Sequence, residues 1–262
     1  MKKTWMLLLS GFFILVMLTG FFIPDKLYNS ISITDRFKAP SERSLFGTDP
    51  YGRDLFYRTA KATSNTILFS LIAVSISVVV GFFFGLLSGY VGGFFDFLIQ
   101  TIIDVMMSFP SFFLVLTIIV TMPQNGWNVV VAIVLSSWPN IARLIRAEVI
   151  TLKNREFIVA SKSIGASPLR IIVFHLIPNC LNTLIVITVL SFGTAILVES
   201  SLSFLSLGFK DDIPTLGNLI ALGRDVLRSW WISFFPGVFL FLVIFTVNLS
   251  GEYLKDKLDP RL

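Results

Sequence analysis

The chain of 262 residues is 55% hydrophobic and only 14% charged, with a mean hydropathy of +0.83. A water-soluble globular protein carries about 25% charged residues, so a soluble domain is excluded; the apolar residues gather into runs long enough to span a bilayer. The net charge of +5 does not point to nucleic acid, because Lys and Arg fall in the polar segments between those runs, where a membrane protein places them.

Lys2 and Lys3 precede an uncharged stretch from Thr4 to Ile23. It is longer than the apolar region of a signal peptide and ends in FFIPDK with no small-residue cleavage site, so it reads as a retained first helix over about 4–23. LFGTDPYGRD (45–54) comes next. Gly47 and Gly52 bracket four residues as in the phosphate-binding loop G-x-x-x-x-G-K-[ST], but Arg53 and Asp54 stand where that loop needs Lys and a hydroxyl. Asp49 and Asp54 would repel phosphate, and the preceding SITDRFKAPSER is polar coil, not a buried strand. The glycines therefore read as tight-turn residues. Arg53 and the two aspartates read as local ion pairs bracing the start of the second helix.

Five further spans follow, at about 65–89, 98–121, 127–146, 181–200 and 232–250. All are expected to be helices, because backbone exposed to lipid must satisfy its own hydrogen bonds. Asp104 lies inside the third span. An ionisable residue there is costly to desolvate, so Asp104 is a candidate for contact with a partner subunit or for lining a path. Asp96 and Glu199 sit near helix ends and read as interfacial. Arg143 and Arg146 read as snorkelling residues at a membrane surface, and Trp230 and Trp231 as an aromatic belt.

Residues 147–179, AEVITLKNREFIVASKSIGASPLRIIVFHLIPN, are too polar to cross lipid yet keep helical periodicity. Phe157, Ala160, Ser161 and Ile164 share one face of a short helix. Gly165 ends that helix, and Ser167-Pro168 starts another as N-cap and first-turn proline, which stops before Pro178. The pattern predicts a protruding pair of short helices, suited either to a groove on another protein or to a bed of headgroups. His175, the single histidine, has no neighbouring ligand residues for a metal, and the single Cys180 permits neither an intrachain disulfide nor a Cys-based zinc site. Lys and Arg divide eleven against ten between the two sides, so charge alone does not orient the chain.

The protruding pair resembles the coupling motif of ATP-binding-cassette importer permeases, E-A-A, three residues, G, nine residues, I-x-L-P. It aligns as Val159-Ala160-Ser161, Gly165 and His175-Leu176-Ile177-Pro178; Ala, Gly and Pro match, while the leading Glu and second Ala do not. FGTDPYGRD is similar to the F-G-T-D-x-x-G-R-D signature of the dipeptide, oligopeptide and nickel permease branch. GGFFD, DVMMSFP, SWPNIARLIRAEV, ESSLSFLSLGF, PTLGN, WW followed by FPG, and the ending LDPRL resemble the same branch, with Gln100 and Ser206 where Arg and Gly are expected.

That resemblance implies an all-α integral membrane protein of the type I importer fold, with six transmembrane helices and a cytoplasmic two-helix coupling loop. Residues 1–64 would form the first helix and an extracytoplasmic loop carrying Gly47, Thr48, Asp49, Gly52, Arg53 and Asp54; residues 65–262 would form the permease core. It also implies a heterodimer with a second permease, two ATPase subunits and an extracellular solute-binding protein. Both termini would be cytoplasmic, in a bacterial cell membrane. The chain would have no catalytic residue and bind no cofactor or metal of its own, with ATP and Mg held by the partners. Val159, Ala160, Ser161, Gly165, Ala166, Ser167, Pro168, His175 and Pro178 would contact an ATPase, and Asp104, Ser108, Pro110 and Glu199 would lie at the pathway or subunit interface. Short peptides are the first expected solute, nickel or a metal–metallophore complex the second. From other classes, a membrane enzyme lacks a nucleophile–base or metal cluster here, and a channel or scaffold would have no ATPase partner.

Overall fold

The computed structural model describes residues 2–122, 125–224 and 226–258, with side chains from residue 11 onward. The ending LDPRL falls outside the described residues apart from Leu258. The described chain is helical with two isolated β-bridges, Ser41 with Ser44 and Thr48 with Asp54, and no strand among the described residues.

Helix α1 (Lys2–Phe22) leads through a short turn, α2 (Asp25–Tyr28), into the loop that carries LFGTDPYGRD. Helix α3 (Leu55–Val91) then begins ten residues before the expected span. Asp54 explains the early start: its carboxylate accepts from the amides of Phe56 and Tyr57 at 2.8 and 3.4 Å, an N-cap that satisfies donors otherwise orphaned. The expected domain boundary at 64/65 therefore falls inside a continuous helix.

The third span is broken. Helices α4 (Gly93–Met107) and α5 (Ser111–Thr121) meet at 89°, because Pro110 lacks an amide hydrogen and excludes the α conformation from Phe109. Helix α6 (Trp127–Lys153) runs past Pro139 and outlasts the expected end at 146. A short helix, α7 (Glu156–Ser163), precedes α8 (Pro168–Ile171), a π turn (Ile172–Leu176) and α9 (Ile177–Phe204). Helix α10 (Leu216–Arg224) packs back on α9, and α11 (Trp231–Leu258) closes the described chain. Among the described residues four helical stretches are long and apolar enough to cross a membrane: α3, α6, Pro168–Phe204 and α11. The α4–α5 pair makes a fifth if taken as one broken span.

Parallel packing of α3 on α6 forms the centre. Lipid gives apolar side chains no reason to hide, so close backbone approach has to supply the attraction. Three small residues at helical spacing permit it. A Cβ on Gly81, Gly85 or Gly89 would lie 2.7 Å from Ile141 Cβ, 2.5 Å from Ala142 O or 2.9 Å from Arg146 O. One apolar cluster joins α3, α5, α6 and α9 around Phe69, Ile133 and Leu202; a second, at the other end, gathers Leu86, Ile145, Val149, Leu176 and Cys180.

Candidate functional site

Two polar assemblies stand at opposite ends of this bundle. The first is the loop before α3. Gly47 and Gly52 have φ of 75° and 76°, and a Cβ on Gly52 would lie 1.8 Å from Ser32 O, so the chain crosses itself there only with glycine. The turn wraps the fully buried Asp49 carboxylate, which accepts from the amides of Tyr51 and Arg53 and from Arg53 Nε at 2.6 Å. Arg53 and Arg58 both reach Asp211, at 2.7 and 2.9 Å, and Arg58 lies 3.5 Å from Asp49. Two arginines and two aspartates thus tie the loop to α3 and to the segment after α9. The expected Arg53–Asp49 pair is present. Asp54 is not a member of the ion cluster, because its carboxylate is spent on the α3 cap. Thr48 joins by donating to Asp35 O at 2.5 Å, while its own carbonyl accepts from Trp231 Nε1 at 3.2 Å. Trp231 is therefore buried under the loop, and only Trp230 is exposed as a belt residue would be. Outside the bundle, burial and the Asp25 carboxylate push the Tyr28 phenol up to about 12.

The second assembly is the helical knob. Lys153 donates to Tyr90 O at 2.6 Å, which puts the end of α6 beside the far end of α3 from the loop. Helix α7 closes as expected at Gly165, with φ of 84°: the Gly165 amide donates to Lys162 O and that of Ala166 to Ser161 O, both at 3.0 Å, a Schellman closure. Ser167 Oγ then accepts from the Arg170 amide at 3.4 Å, the N-cap predicted for the second helix.

That helix does not stop at Pro178. The π turn widens the backbone just before Pro178, leaving the proline in the first turn of resumed α-helix, where a missing amide costs little. Asn179 Nδ2 donates to the His175 carbonyl one turn back at 2.6 Å. The coupling candidates Pro168, His175 and Pro178 and helix α9 are consequently one helical stretch, Pro168–Phe204.

Within the knob, Ile158 is fully buried and anchors α7 on Leu152, Ile171 and Leu176. The face of Phe157, Ala160 and Ile164 points outward; Ile164 is 86% exposed and Leu169 70%. Val159, Ala160, Gly165, Ser167, Pro168 and Pro178 are also exposed, Ala166 is half-buried, and Ser161 Oγ lies 3.4 Å from His175 Nε2. The anchor was not legible as such, since an eight-residue helix with several apolar positions offers more than one face.

The remaining candidates separate. Asp104 pairs with Arg143, and Asp96 accepts twice from Arg146 at 2.6 Å. These arginines are therefore bound to α4 and do not simply snorkel. Gln100 lies one turn from each aspartate, and its buried Nε2 has no hydrogen-bond partner among the described residues. Ser108 and Pro110 are exposed at the α4–α5 bend. Glu199 is on no surface of the described chain. It is fully buried and held by Ser203 Oγ at 2.7 Å, Ser200 Oγ at 3.3 Å, and the hydroxyls of Thr66 and Thr215. Ser206, where Gly was expected, has φ of 62° and closes α9 as Gly165 closes α7.

Residues 81–262 match the family described as binding-protein-dependent transport system inner membrane component. The chain is 36% identical to the dipeptide transport system permease protein DppC of Alkalihalophilus pseudofirmus, over 95% of this chain and 83% of that one. It is 33% identical to the oligopeptide transport system permease protein OppC of Bacillus subtilis, over 90% of this chain and 77% of the relative. In fold it is similar to a chain of the inward-facing MetNI methionine ABC transporter, with a TM-score of 0.65 at 17% identity over 78% of this chain and 97% of that one. A multi-pass helical bundle of that fold, the branch signature folded into one loop, and relatives of this similarity along most of the chain have a common reading: this chain belongs to the family of binding-protein-dependent transport system inner membrane components, the membrane permease subunits of ABC importers.

Proposed function

We propose that this chain forms one half of the translocation path for short peptides, pairing with a second permease, two ATPase subunits and an extracellular solute-binding protein. Helix α1 counts as the sixth membrane helix in this reading. The knob and both termini face the cytoplasm, and the loop of Asp49 and Arg53 faces outward. ATP and Mg stay on the partner subunits.

The observation that carries the proposal is the knob itself. Val159, Ile164 and Leu169 are apolar side chains exposed on two short helices that Ile158 pins to the bundle. Such a surface suits burial in a groove of a partner. Because the knob continues into α9 through residue 204, a push on it is delivered to a membrane helix without an intervening loop. The peptide assignment rests on the relatives, which are named for dipeptide and oligopeptide transport.

Purifying the native complex and identifying its subunits tests the reading. An ATPase pair, a second permease and a binding protein loaded with peptide are expected. A stable complex without an ATPase would overturn the importer mechanism, and a nickel complex in the binding protein would replace the peptide.

A further inference from the structure

A cavity of about 470 Å³ opens between the end of α6, the start of α9 and the end of α11. That is within the roughly 300–1,000 Å³ range of small-ligand sites. Glu148, Arg155, Lys255 and Asn182 supply its polar wall, and Val186 and Leu258 are among its apolar residues. None of the side chains of Glu148, Arg155 and Lys255 has a hydrogen bond or ion pair among the described residues. Two cations and a carboxylate thus share one cavity without neutralising one another.

The depth of the cavity narrows what it would hold. Glu148 lies 21 residues beyond Trp127 in α6, about 30 Å along the helix, which is one hydrocarbon thickness. Lys255 stands in the last turn region of α11, and Asn182 in the second turn of α9. All three helices therefore present these groups at headgroup level, on the knob side of the bundle. Basic pockets between membrane helices at that level suit lipid phosphate. A phosphate alone leaves Glu148 unanswered and repelled. A phosphodiester that also carries a primary ammonium answers all three charges: its oxygens accept from Arg155 and Lys255, its ammonium donates to Glu148, and Val186 and Leu258 meet the first methylenes of its chains.

We propose that this cavity is a binding site for the headgroup of a phosphatidylethanolamine-type lipid. The site is independent of the peptide-import reading, since it depends only on this chain's own helix ends.

The test uses the purified native complex in nanodiscs of phosphatidylcholine containing equal fractions of phosphatidylethanolamine and phosphatidylglycerol, with retained lipid read by native mass spectrometry. The intact protein is expected to retain phosphatidylethanolamine at least about tenfold over the other two, the difference one charged hydrogen-bonded contact makes. Glu148→Gln should abolish the preference over phosphatidylglycerol while keeping retention. Arg155→Gln with Lys255→Gln should lose one bound lipid per copy of this chain. Equal retention of all three lipids by the unmodified complex, which requires no variant to fold, would overturn the proposal. So would a preference that survives both sets of substitutions. If water-soluble glycerophosphoethanolamine competes as well as the diacyl lipid, the cavity takes a free solute and the lipid assignment falls.

Discussion

Ser206 and Asp49 show how much a single position decides. Ser206 occupies the left-handed conformation at the C-terminal closure of α9, with its amide donating to Ser203 O and that of Leu207 to Leu202 O. A non-glycine residue there carries a strain of about 1 kcal/mol, so Ser206→Gly is expected to raise stability by that amount, read as a higher midpoint in thermal unfolding of the detergent-purified chain. An unchanged or lower midpoint would mean the serine has a compensating contact. Asp49 has the opposite weight. Its removal leaves Arg53 and Arg58 buried beside a single half-exposed carboxylate, Asp211. Breaking a buried ion pair from one side costs about 3–5 kcal/mol, so Asp49→Ala should open the loop to protease between residues 38 and 54. Resistance equal to the parent chain would contradict the cluster's role. The sequence already marked Asp49 and Arg53, because a carboxylate and a guanidinium four residues apart around two glycines announce a local turn. Asp211 was invisible, since 158 residues separate it from Arg53 and no spacing rule links them.

At the scale of elements, helix existence was legible and helix ends were not. Hydropathy marks the portion of α3 in lipid, whereas its true start depends on the Asp54 cap and on Arg58 being paired, both facts of the folded loop. Proline carried opposite meanings at two sites: Pro110 breaks a span by 89°, while Pro178 is absorbed by the π turn. Sequence alone shows the same residue in each. Gly165 was legible because it is both a spacing landmark and a helix terminator. Its Cβ would meet nothing within 4 Å, so the cost of replacement is conformational only. Gly165→Pro removes the amide donated to Lys162 O and forbids φ of 84°. It is expected to cut substrate-stimulated ATP turnover of the reconstituted complex several-fold with the membrane helices intact by circular dichroism. Unchanged turnover would remove the turn from the coupling proposal. Gly85→Val presses on Ala142 O, 2.5 Å from the added Cβ, and should separate α3 from α6. Lower yield of folded protein checks it.

For the molecule as a whole, charge counting left orientation open, and the proposed topology has a direct test. Cys180 is the single cysteine and is buried, so the parent chain should be silent to a membrane-impermeant maleimide. Exposed Tyr51 and Ile164 sit at opposite ends of the bundle. Tyr51→Cys should label in intact cells and Ile164→Cys only after lysis in detergent that strips any partner subunit; the reverse pattern would invert the chain in the membrane. The stretch from Pro168 to Phe204 has a mechanical consequence. Its 37 residues make a rod about 55 Å long, hung at one end beside the knob and clasped near the other by the hydroxyls around Glu199. A tilt of only about 5° at the knob would sweep the far tip through about 5 Å. Under the proposed coupling this stretch would act as a long lever, with the π turn at its loaded end.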